Sequence, residues 1–148
     1  MIFIGNFLVL TNQEKIDEID RRHGEFNLIV AAPDAANALR LFRDSILDHH
    51  RNSMLFEGDC SIFMIQLLEF DQLPQERAMM MTYKSMAGDP IMPYIGCLVP
   101  NSDTDSCRIF NWKNNRPEID GESEALFLQL EAGSEPAQEH GQLNLDQS

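Results

Sequence analysis

His49, His50, Glu57 and Asp59 lie within one short stretch, and imidazole and carboxylate are the donor types that suit zinc or manganese. A small metal-dependent hydrolase centred on His49 and His50 is the chemistry such a group would carry, with His23 as a further ligand that folding could bring near. Nucleophilic catalysis would need a serine or cysteine beside a positioned base. Cys60 and Ser61 are adjacent, yet no base stands at a diagnostic spacing from them. The acid pairs Glu57 with Asp59 and Glu69 with Asp71 could serve general acid and base work, but such pairs arise readily in a chain with 24 acids. The chain has no Gly-x-Ser-x-Gly elbow, no phosphate-cradling glycine loop and no dinucleotide fingerprint.

The string Asp48-His49-His50, with Asn52 two residues on, resembles the signature of the DHH phosphoesterases. That resemblance implies aspartate and histidines helping to bind a pair of metal ions. It covers this stretch alone: an upstream Asp-x-Asp is missing, and the string ends a predicted helix. Histidines at a helix C-terminus also complement the macrodipole and supply donors for the last carbonyls.

Binding without chemistry is the better supported reading, and its candidate surface is the loop holding Met86, Ile91, Met92 and Tyr94. Pro90 and Pro93 keep the backbone there extended, and large apolar side chains on a stiff loop suit a partner interface. The run Met79-Met80-Met81 is expected mainly in the core, where methionine fills irregular gaps.

Charge narrows the class of partner. The chain of 148 residues carries −13, divided unevenly: Met1 to Arg116 has 16 acids against 11 bases, and Pro117 to Ser148 has 8 acids and no base. Such a field repels phosphate backbones, so direct nucleic-acid binding is disfavoured, while a basic protein surface is attracted. Small acidic inhibitors, immunity proteins and anti-defence proteins share this size and charge, so an occupancy role is expected. A small-ligand-binding regulatory domain with its pocket between sheet and helix is the further alternative. No cofactor is expected.

Three cysteines, Cys60, Cys97 and Cys107, stand at wide spacings without a Cys-x-x-Cys pair, and read as buried free thiols in a reducing, cytoplasmic setting. The apolar run from Met1 to Leu10 has no preceding positive charge and no small-residue cleavage site, so it reads as a strand rather than a targeting segment. No membrane association is expected.

The positioning elements follow from periodicity. Residues 2–10 form a predicted strand with Gly5 as a bulge, residues 11–25 a charged loop or short helical turn, and residues 26–32 a second strand. Asp34 caps a predicted helix over 34–50, whose Ala35, Ala38, Leu39, Phe42 and Ile46 recur on one face, with Arg40 and Asp44 on the other. Residues 61–70 are apolar on both sides and read as a central strand. Further strands are expected at 77–84, 94–99 and 107–112, with a turn at 100–106. The fold class is therefore α+β: about five to six strands in the order β-β-α-β-β-β-β, an antiparallel or mixed sheet packed on one main helix. One compact domain is expected over 1–116. The acidic extension 117–148 is expected to be flexible apart from an apolar island near 123–130, a docking helix or last strand.

Overall fold

In a computed structural model the protein has the α+β architecture expected, built as two antiparallel sheets and one main helix. The structure describes residues 1–97 and 107–133. Contacts divide the chain into two compact units, Met1–Ala87 and Gly88–Ser148, where the sequence suggested one body ending at 116.

The first unit is a three-stranded sheet and a helix. Strand β1 (Ile2–Thr11) is central, with β2 (Arg22–Ala31) and β3 (Cys60–Phe70) antiparallel on either side. Alternation along β1 sends Phe3, Gly5 and Phe7 to one face, where Phe3, Phe7, Ala32, Ala38 and Phe42 make the buried core. Gly5 is required there: a Cβ on it would lie 2.6 Å from Phe7 Cε2 and 3.0 Å from Phe42 Cε2. The bulge expected at Gly5 falls one step further along. Asn6 pairs with Gln66 and Phe7 with Met64, so the extra residue is Ile65 of β3.

Strand β2 begins at Arg22, four residues before the predicted start. Its full register with β1 holds Arg22, His23 and Glu25 in the ladder because an outer strand can turn charge to water. The predicted helical turn around Ile16 and Ile19 is a single 3₁₀ turn at Glu18–Asp20, and both isoleucines are exposed.

Helix α1 (Ala35–Asn52) starts as predicted. Asp34 Oδ1 accepts from the Asn37 N–H at 2.8 Å, closing one of the free donors of the first turn. Ala35, Ala38, Leu39, Phe42 and Ile46 face the sheet, while Arg40 and Asp44 pair at 3.3 Å on the wet side. Only Ala32, Pro33 and Asp34 join β2 to α1, so the helix is held over β2 and β1. The return to β3 takes the longer loop 53–59, anchored by Phe56 against Phe26 at 5.2 Å between ring centroids.

The predicted strand over 77–84 does not form, and Met79, Met80 and Met81 are exposed rather than in the core. Both edges of β1 are already taken by β2 and β3, and no described residue pairs with this stretch in a ladder. Lys84 instead reaches Glu25 of β2 at 2.9 Å.

The second unit is a four-stranded meander, β4 (Tyr94–Cys97), β5 (Cys107–Lys113), β6 (Arg116–Ile119) and β7 (Glu122–Ser123). Ordered pairing continues past the expected boundary at 116 because two tight turns drive it. Asn114 and Asn115 both have positive φ, as do Asp120 and Gly121, the pattern of two-residue hairpins whose twist matches the strands. Tyr94 stacks on Phe110 at 4.8 Å, and Asp120 accepts from the Ile109 N–H and from Arg108 Nε, both at 3.0 Å. Cys97 and Cys107 face each other across β4 and β5 and form a disulfide, so the free-thiol expectation holds for Cys60 alone, which is half-buried. The turn expected at 100–106 and the tail from 134 onward lie outside the described residues.

Candidate functional site

The helix that covers β2 and β1 leaves the matching side of β3 open, and the opening is an apolar cleft of about 440 Å³. Phe7, Leu39, Phe42, Ile46, Ile62 and Met64 line it, with Arg43 supplying the one charge. A second cavity of about 360 Å³ adjoins it, sharing Ile46, Leu47 and Ile62 and continuing toward Leu10, His50 and Cys60. Together they make a groove along β3. A pocket between sheet and helix is what the small-ligand alternative required, and this groove has that position.

Strand β3 is not the central strand that its two-sided apolar sequence suggests. It is an edge, paired on one side with β1 and on the other with no described strand. Phe63, Met64 and Ile65 are 52%, 44% and 64% exposed, so the apolarity that reads as interior is in fact surface. The signal was present in the sequence, but double-sided apolarity cannot by itself separate a buried strand from one awaiting a partner.

The metal-ligand candidates are not gathered. His50 Nδ1 lies 3.0 Å from the Phe56 carbonyl, which fixes the ring against the loop, and the His49 carbonyl accepts from the Ser53 N–H at 2.9 Å and the Ser53 hydroxyl at 2.7 Å as the helix end closes. Asp59 holds the loop to Asn12: its N–H donates to Asn12 Oδ1 at 3.2 Å, and its carbonyl accepts the Asn12 N–H at 2.9 Å. His50 and Asp59 border the second cavity, whereas His49 and Glu57 do not. Among the described residues no three His, Cys, Asp or Glu side chains are placed to hold a metal ion.

Two carboxylates have displaced acidities, and both have structural causes. Asp34 is lowered first by the backbone N–H of Asn37 and then by the Asn37 side chain. Asp120 is lowered by the Ile109 N–H and then by Arg108. Each anion is held by donors of its own turn or hairpin, outside the groove.

The predicted partner loop divides between the units. Met86 belongs to the first and is exposed; Ile91 and Tyr94 are exposed in the second, and Met92 is half-buried before a cis peptide bond to Pro93. The apolar island is neither helix nor strand beyond Ser123: Leu126, Phe127, Leu128 and Leu130 stand 69%, 99%, 62% and 72% exposed. No described helix is long and apolar enough to cross a membrane. Comparison with models of known families, with curated proteins and with solved structures finds no match to this chain.

Proposed function

We propose that the protein acts by occupancy, binding a protein partner of basic surface in the manner of an inhibitor, immunity-type or anti-defence-type protein. The observation that carries this reading is the balance of apolar side chains. Among the described residues seven hydrophobic residues are buried while twenty-four large ones are exposed, many of them grouped on β3, on the approach to β4 and on the island after β7. Large apolar side chains exposed in groups of this kind are what an interface core is made from. Ile91 at 80% exposure and Met86 at 68% supply anchors, and the net charge of −13 speeds encounter with a basic surface. The setting is proposed as cytoplasmic, although the Cys97–Cys107 bond favours an oxidising one.

The test is a photo-crosslinking amino acid placed at position 91 in the native cell, with a second placed at Arg51 on the exposed end of α1 as control. One stoichiometric basic protein crosslinking at 91 and not at 51, with association slowed by salt, is the expected result. Absence of any stoichiometric adduct at 91 at low and high salt would remove this reading. The small-ligand reading has the α1–β3 groove in its favour, and saturable binding of a small apolar probe there, lost in Ile46→Asp, would raise it above the first.

A further inference from the structure

Strand β3 has an outer backbone edge that no described strand pairs with, an apolar fringe in which Phe63, Met64 and Ile65 are 44–64% exposed, and a lengthwise groove. The outward N–H and C=O groups of an eleven-residue edge strand are a template for another strand. A small molecule could fill the groove, but it would leave those groups to water. A peptide in extended form satisfies both.

The same chain contains such a peptide. Residues 124–131 read Glu-Ala-Leu-Phe-Leu-Gln-Leu-Glu, and the described structure assigns them neither helix nor strand, the segment leaving the last hairpin where the Glu124 N–H donates to the Pro117 carbonyl at 2.9 Å. Their period is two: Leu126, Leu128 and Leu130 fall on one side of an extended backbone, and Ala125, Phe127 and Gln129 on the other. Eight residues extend about 26 Å at roughly 3.3 Å each, within the roughly 36 Å that β3 offers.

We propose that residues 124–131 of one copy add as an outer strand to β3 of a second copy. The three leucines then enter the groove beside Leu39, Ile46, Ile62 and Met64, and Phe127 falls on the opposite face of the sheet with Phe63 and Ile65. Glu124 at the start of the arm matches the guanidinium of Arg43 in the groove wall, the one arginine or lysine among its lining residues. Exchange in both directions gives a two-fold dimer in which each copy donates one arm and receives one, so no open β3 edge is left to propagate. This concerns the chain with itself, and it stands or falls separately from any basic partner.

The test uses the full purified chain. Sedimentation from about 1 to 100 μM is expected to show a dimer, and the double substitution Phe127→Asp and Leu128→Asp is expected to weaken it at least about 100-fold. Phe127 and Leu128 are 99% and 62% exposed, so the change leaves the folded units intact. A synthetic peptide of residues 122–132 should then bind the double variant and slow amide exchange at Phe63 to Ile65. A wild-type monomer throughout this range overturns the proposal, including the case in which the peptide still protects β3 of the variant, which would place the arm on its own chain. A dimer that survives the double substitution overturns it equally, as does a peptide that leaves β3 exchange unchanged.

Discussion

Strands β2 and β3 flank the same central strand and run in the same direction, yet they end the sheet in different ways. Strand β2 turns Phe26, Leu28 and Val30 to the helix and sets Arg22, His23, Glu25 and Asn27 against water, leaving Ile29 as its large exposed apolar residue. Strand β3 has the helix beside it rather than over it, and sets Phe63, Met64 and Ile65 against water, with Glu69 near its end as its one exposed charge. Charge on an exposed edge discourages pairing with another chain, and an uncharged apolar stretch such as residues 62–65 invites it. The difference is that one edge is finished by its own sequence and the other is not. The helix enforces this asymmetry, because its three-residue connection from β2 is too short to let it move across to β3.

The strongest way to break the comparison is to loosen the helix. Phe42 is 2% exposed and meets Phe7 edge-to-face at 5.7 Å, so Phe42→Ala is expected to destabilise the first unit by about 3–5 kcal/mol, read by urea unfolding. Amide exchange in β2 should rise toward that of β3 as the helix loses its hold. A loss below about 1 kcal/mol would mean that Phe42 does not seat the helix. Gly5→Ala approaches the same core from the other side: its new methyl meets the Phe7 ring, and an overpacking cost of about 1–3 kcal/mol is expected.

The next test exchanges the characters of the two edges. Replacing His23 with Val and Glu25 with Leu removes two of the four exposed polar side chains of β2, and self-association by sedimentation is expected to strengthen at least about tenfold. Phe63→Lys with Ile65→Lys gives β3 the charge that β2 has, and should weaken association by a similar factor. If the two pairs of substitutions act alike, edge polarity is not what distinguishes these strands.

Sequence patterns resolved the elements better than their surroundings. The helix, its Asp34 cap and its buried face follow from local spacing and were legible, as were β1 and most of β3. The position of β3 was not, since a strand apolar on both faces looks the same at a sheet centre and at an uncovered edge. Strand order depends on pairings between residues far apart in sequence, and Ile2 to Thr11 gives no sign that it must sit between the other two. The hairpins at Asn114-Asn115 and Asp120-Gly121 could have been read from turn chemistry, but the low apolar content around them suggested a tail. Metal-ligating residues close in sequence failed to become a site because His50 turns to a loop carbonyl and the Asp59 backbone is bound to Asn12.

The helix cap offers a pH-dependent probe of the covered edge. Because the folded-state pKa of Asp34 lies below its ordinary value, the charged cap stabilises above the unfolded carboxylate range. That contribution fades as pH falls through the lower folded value. Asp34→Ala is expected to lower the Tm by about a few degrees at neutral pH, with the gap from wild type closing in acid. A gap that stays constant down to low pH would show that ionisation of Asp34 is not involved. Faster exchange should appear first in the initial helical turn, above β2.

The smallest effect is expected at the Lys84–Glu25 pair, and it tests whether the outer side of β2 is finished by its own residues or by the segment that reaches it. Both side chains are 63% exposed, at 2.9 Å, so water and salt screen most of the attraction. Lys84→Met should change unfolding stability by less than about 0.5 kcal/mol. Glu25 would still present charge at the β2 edge, so the association constant should stay unchanged within error. A clear gain in self-association in Lys84→Met would show that residues around Lys84 shield β2, and that the sequence of the strand alone does not close its edge. An unchanged constant, set beside a strong response to the His23 and Glu25 substitutions, assigns the protection to β2 itself.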